Sequence, residues 1–82
     1  MFDERRIEGV LDGIGGAIVY CGSQFDYSQY IKQTNSIIKR LRFLKKRAGD
    51  YAELARLENL ECRALMYLNA MNQRQANFEN QR

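Results

Sequence analysis

With 82 residues the chain has room for one domain and a small core, because a chain this short buries only ~60% of the surface it would expose unfolded. A composition of 45% apolar and 28% charged residues is a globular balance, and the lack of Pro beside six Gly argues against a turn-rich all-β chain. His and Trp are absent, which removes the commonest general base and metal ligand and many cofactor-stacking sites, so most familiar enzyme templates are excluded and no cofactor or metal is expected.

The first apolar run, Ile7, Val10, Leu11, Ile14, Ala17, Ile18 and Cys21, recurs at the spacing of one helical face and predicts a helix from Asp3, as N-cap, to Tyr20. Gly9, Gly13, Gly15 and Gly16 each cost ~1 kcal/mol there against Ala, so packing has to rescue the helix. Gly9, Gly13 and Gly16 share a ridge suited to close helix crossing, within the chain or between subunits. The competing reading is a strand over Ala17 to Cys21, where Ile18, Val19 and Tyr20 have β character.

Gly22-Ser23-Gln24 is a stop signal, after which Asp26 or Ser28 caps a second helix that runs to about Ala48, with Gly49 as its C-terminal cap. Its stripe is the cleanest in the chain: Tyr27, Tyr30, Ile31, Thr34, Ile37, Ile38, Leu41, Leu44 and Ala48, wide enough to meet two neighbours. Asp50 caps a third helix, with Glu53 completing a capping-box-like start, and the apolar face continues through Leu54, Leu57, Leu60, Ala64, Leu65, Tyr67, Leu68 and Met71. The run from Ala64 to Leu68 is apolar all round, which places Leu65, Met66 and Tyr67 at a subunit interface as well as in the core. The expectation is an all-α protein, a helical hairpin plus a Gly-rich N-terminal helix, packed into a homo-oligomer. Residues 1–72 form the helical domain, and residues 73–82, rich in Asn and Gln, form a polar tail that frays, with Phe78 its one large apolar residue.

Charge is unevenly spread: the net is −2 from Asp3 to Gly22, +6 from Asp26 to Gly49 and −1 from Asp50 to Arg82. Between Lys39 and Arg47 stand six bases and no acid, and Lys32, Lys39 and Lys46 align at seven-residue intervals beside Arg40 and Arg47. With Arg42, these make a basic face opposite the apolar stripe, and Phe43 is planted among them. Three readings compete. The face is solvated and offset by an acidic column of Glu4, Glu8 and Asp12 on the first helix, together with the helix dipole. It binds a polyanion, a nucleic acid or a nucleotide, with Phe43 stacking on a base. Or it docks an acidic protein, with Phe43 as anchor. The composite expectation is a small non-enzymatic regulator or inhibitor that works by binding.

Other signals are weaker. Gly13-Ile14-Gly15-Gly16 lacks the strand-to-helix setting of a dinucleotide loop and the Lys-Ser or Lys-Thr of a phosphate loop. Cys21 and Cys62 match neither a paired metal motif nor a disulfide framework, which favours a reducing compartment. Cys62, between Glu61 and Arg63, reads as a buried structural thiol before it reads as a reactive one. Tyr27 and Tyr30 read as core residues, with an aromatic-cationic pocket beside Lys32 as the minor option. The N-terminal run resembles neither a signal peptide nor a membrane span, so a cytoplasmic protein with no membrane partner is expected. The five residues Leu65-Met66-Tyr67-Leu68-Asn69 are faintly similar to a C-terminal stretch in small phage-encoded proteins that sequester cyclic nucleotides. The match is too short to identify a family and carries over no binding residue; it adds cyclic-nucleotide sequestration as a further alternative.

Overall fold

A computed structural model describes residues 4–22 and 25–80. Three helices account for them: α1 (Glu4–Cys21), α2 (Ser28–Lys46) and α3 (Tyr51–Asn80), with no strand among the described residues. Residues 17–21 are therefore helical, and the strand alternative falls. The expected Asp3 cap and the Ser23-Gln24 part of the stop signal lie outside the described residues. Gly22 performs the stop itself: at φ 66° it takes the left-handed conformation that ends α1, and only glycine enters it without steric cost.

α2 and α3 make the most extensive contact, and they run antiparallel, since Arg42 and Lys45 reach Glu61 while Tyr27 reaches Gln75. α1 lies alongside α3 in parallel, with Glu4 at Arg56, Asp12 at Arg63 and the Ile18 carbonyl at Arg74. The result is an elongated body of 48 × 20 × 19 Å. Its core takes Ile7, Leu11 and Ile14 from α1, Ile37, Ile38 and Leu41 from α2, and Leu57, Leu60, Ala64 and Met71 from α3. Tyr27 and Thr34 are buried with their hydroxyls satisfied: Thr34 donates to the Tyr30 carbonyl at 2.7 Å and Tyr27 to the Gly22 carbonyl at 2.5 Å. A buried hydroxyl without a partner costs ~1–3 kcal/mol, and the Tyr27 bond, which spans the α1–α2 connector, also holds that connector in place.

Caps follow the sequence unevenly. Asp50 accepts the Glu53 N–H at 2.8 Å, and Glu53 reaches back to the Gly49 N–H at 3.2 Å, a box shifted by one residue. Gly49 is not a left-handed cap. α2 ends on Arg47, whose N–H donates to the Leu44 carbonyl at 3.1 Å, a tightened final turn that needs no positive φ. The Ser28 N–H is taken by Asp26 at 3.0 Å, so the acid, not the serine, works at that end.

The tail also departs from expectation, because helix continues past Asn72 to Asn80. Polar contacts hold it. Arg74 donates to the Ile18 carbonyl and, at 3.2 Å, to the Tyr27 hydroxyl; Gln75 accepts the Tyr27 N–H at 2.7 Å and donates to Asp26 at 3.1 Å.

Close helix approach occurs at a different glycine from those on the predicted ridge. A Cβ on Gly9, Gly13 or Gly16 would meet nothing within 4 Å, whereas one on Gly15 would lie 2.7 Å from the Tyr67 hydroxyl. The ridge faces away from α3, and Gly15 is where α1 admits the Tyr67 ring.

Candidate basic face of the second helix

α2 carries its apolar stripe inward, so the remaining arc faces outward by helical geometry alone. The structure divides the six-base run in two. Arg42 and Lys45 turn toward α3 and share the Glu61 carboxylate at 2.9 and 2.8 Å, where the glutamate side chain is only 12% exposed. Hydrogen bonds from Lys45 and Arg42 hold the Glu61 carboxyl below its ordinary range, and Glu61 raises the Lys45 ammonium above its own. These two bases, one of them assigned to the site from sequence, brace α2 on α3.

Lys39, Arg40, Phe43, Lys46 and Arg47 stay on the outer arc. Lys39 and Lys46 are exposed, and Phe43 keeps 44% of its surface accessible. The guanidinium carbons of Arg40 and Arg47 stand 5.1 and 4.6 Å from its ring centroid, a cation–π arrangement on both sides along the helix. Lys39, Lys46 and Arg47 have no ion pair among the described residues. Lys32 is exposed one heptad, ~10 Å, before Lys39 and lines a shallow open depression with Gln29, Tyr30, Gln33 and Ser36. Tyr27 takes no part in it, because it is buried against Phe25, ring centroids 5.0 Å apart.

Two acids of the α1 column, Glu4 and Asp12, do not offset this face. Glu4 bonds Arg56 at 2.8 Å, and Asp12 pairs with Arg63, both on α3. Those contacts raise the two arginines' pKa, with the hydrogen bond from each to its acid as the main cause. Periodicity identified the column but not its neighbour, and α1 lies along α3. Lys39, Lys46 and Arg47 therefore keep their field in solvent.

The residues placed at a subunit interface are scattered. Leu65 and Met66 are exposed on α3, at 42% and 66%. Tyr67 instead turns inward, half-buried against Gly15, with its hydroxyl accepting from Arg63 Nε at 3.0 Å. Gly9 and Gly13 are exposed and Gly16 is half-buried. Both cysteines are free and exposed, so Cys62 is not the buried thiol expected, and Arg63 directs Nε and Nη2 to Tyr67 and Asp12 rather than to the thiol. Sequence reasoning missed Gly15, Arg74 and Gln75. A tyrosine on the apolar stripe that must find a partner for its hydroxyl was the available hint to Arg74; Gln75 takes the Tyr27 backbone N–H, which no side-chain pattern announces.

Among the described residues no three His, Cys, Asp or Glu side chains gather to hold a metal ion, and no helix is long and apolar enough to cross a membrane. Compared with protein-family models, curated proteins and solved structures, the chain matches none.

Proposed function

We propose that the chain is a non-enzymatic binding protein, a small regulator or inhibitor in which the α2–α3 hairpin, braced by glycine-rich α1, presents the outer face of α2 to an acidic protein and associates with copies of itself. The Arg40–Phe43–Arg47 cluster carries this reading. Its ring is already engaged by two guanidiniums of its own helix, which favours an exposed aromatic anchor ringed by carboxylate-binding forks over an open platform for a nucleobase. Lys39 and Lys46 extend the positive field and steer an acidic surface onto the anchor. The exposed Leu65 and Met66 support self-association, since solvent is a poor neighbour for both.

Replacing Lys39, Arg40, Lys46 and Arg47 together by Gln keeps helix propensity and the buried stripe, so fold and assembly are expected to survive while partner binding is lost. The test is capture from native extract, with and without nuclease, by the parent and the quadruple variant. A nuclease-resistant partner held by the parent alone is the expected result; equal capture by both would show the face to be ordinary solvated surface. Capture abolished by nuclease, with binding that falls steeply with salt, would move the function to nucleic acid.

A further inference from the structure

α3 is the longest helix, 30 residues or ~45 Å, and nearly spans the molecule. Only part of its circumference is used by α1 and α2. On the remaining side, alternating steps of three and four residues pass through Ala52, Ala55, Asn59, Cys62, Met66, Asn69, Gln73 and Ala76, and every one of these positions is exposed and uncharged. This is the spacing of a coiled-coil seam. We infer that a second copy of the chain packs its α3 along this seam in parallel, in register. The inference rests on the self-association proposed above and specifies its geometry.

The flanks of the seam give the orientation. One flank carries Tyr51, Glu58 and Leu65, the other Arg56, Arg63 and Ala70. In a parallel two-stranded coil each residue of the first flank meets the residue five further on in the partner. Glu58 then faces the partner's Arg63, Tyr51 the partner's Arg56, and Leu65 the partner's Ala70: an ion pair, a cation–π contact and an apolar contact, each made twice by symmetry. Glu58 has no ion pair among the described residues, and Arg63 uses Nε and Nη2 within its own chain, which leaves Nη1 for the new carboxylate. Antiparallel packing sets like flank against like flank and leaves Glu58 without an arginine. Seam and flanks together hold 18 positions between Tyr51 and Asn80, near the ~20 residues a side of a standard interface. They also include Tyr51, Leu65 and Met66, three of the six exposed large hydrophobic residues among the described residues. Asn59, Asn69, Gln73 and Asn80 meet their own symmetry mates, which weakens the pair but fixes its register.

Parallel register brings Cys62 to the partner's Cys62. With Cys21→Ser, oxidation by diamide removes two protons and two electrons from the thiol pair, reducing diamide to its hydrazine and leaving a disulfide-linked dimer on a non-reducing gel. A second variant, Cys21→Ser/Cys62→Ser/Asn69→Cys, moves the thiol one heptad along and is expected to cross-link as well. Both should react at least about tenfold faster than Cys62→Ser, whose exposed Cys21 meets its mate only by collision. Glu58→Lys should weaken the dimer in sedimentation equilibrium by about tenfold. A sedimenting dimer in which only one thiol position cross-links, or neither exceeds the collisional rate, overturns the parallel register while self-association stands. A monomer at micromolar concentration overturns both.

Discussion

Alanine at Gly15 should destabilise the protein although alanine at its neighbours should stabilise it. Gly to Ala inside a helix returns ~1 kcal/mol of propensity, and at Gly9 and Gly13, where an added Cβ meets nothing within 4 Å, that gain should be realised in full. At Gly15 the same methyl group would lie 2.7 Å from the Tyr67 hydroxyl and 3.0 Å from Cζ, so the ring has to withdraw. Withdrawal strains the hydrogen bond from Arg63 and its cation–π contact, 5.4 Å from guanidinium to ring centroid. Overpacking costs ~1–3 kcal/mol and a hydrogen bond to a charged donor is worth ~1.5–3 kcal/mol, so a net loss of about 2 kcal/mol remains after the propensity gain. For a domain of this size that lowers Tm by ~10 °C. Tyr67→Phe removes the nearest atom, so the double variant should recover ~1 kcal/mol relative to additivity. Thermal and urea unfolding followed by circular dichroism, at one protein concentration, measure all four corners of the cycle. If Gly15→Ala raises Tm as much as Gly13→Ala does, α1 does not admit Tyr67 at Gly15 and the packing described is wrong.

Phe43→Ala should leave unfolding within ~0.5 kcal/mol, because the ring is itself half-exposed and packs on surface arginine side chains outside the core, yet weaken partner binding by ~2 kcal/mol, read by titration calorimetry against the captured partner. Glu61→Gln should destabilise and also change the pH profile. A carboxyl held below its ordinary value stabilises fully above the unfolded value of ~4.3 and loses that contribution as pH falls through the folded one, so urea midpoints between neutral and acid pH should fall less steeply in the variant. Tyr27→Phe removes both the donor to Gly22 and the acceptor for Arg74 while keeping the buried ring; a loss of ~1–3 kcal/mol is expected, and hydrogen exchange should rise first at the end of α1.

What the chain reveals before folding is the part governed by burial of apolar side chains. The α2 stripe reads correctly because Tyr27, Thr34, Ile37, Ile38 and Leu41 repeat with the helix, and nothing else is needed to bury them. Polar pairing has no such period. The continuation of α3 beyond Asn72 depends on Arg74 and Gln75 meeting a connector 47 to 56 residues away, which no local pattern announces. The two glycine stops looked alike, yet Gly22 turns left-handed and Gly49 does not, since α2 closes by tightening on Arg47. For the same reason the basic run looked like one surface. A single acid, Glu61, draws Arg42 and Lys45 to α3 and leaves the Phe43 group outside.

The separation of the α1 contacts along the chain bears on how the molecule is made. Glu4, Asp12 and Ile18 are held by residues 52, 51 and 56 positions later, whereas Lys45 and Arg42 find Glu61 within 16 and 19. Loop closure is cheaper for the shorter spans, which favours α2 and α3 coming together before α1 docks. During synthesis α1, the glycine-bearing segment least able to hold its own helix, emerges before α2 and α3 and waits for the residues that will receive it. Until Arg74 has emerged, the Ile18 carbonyl and the Tyr27 hydroxyl stand open to water, and the N-terminal segment is the stretch of nascent chain that a protease or a chaperone would meet unfolded.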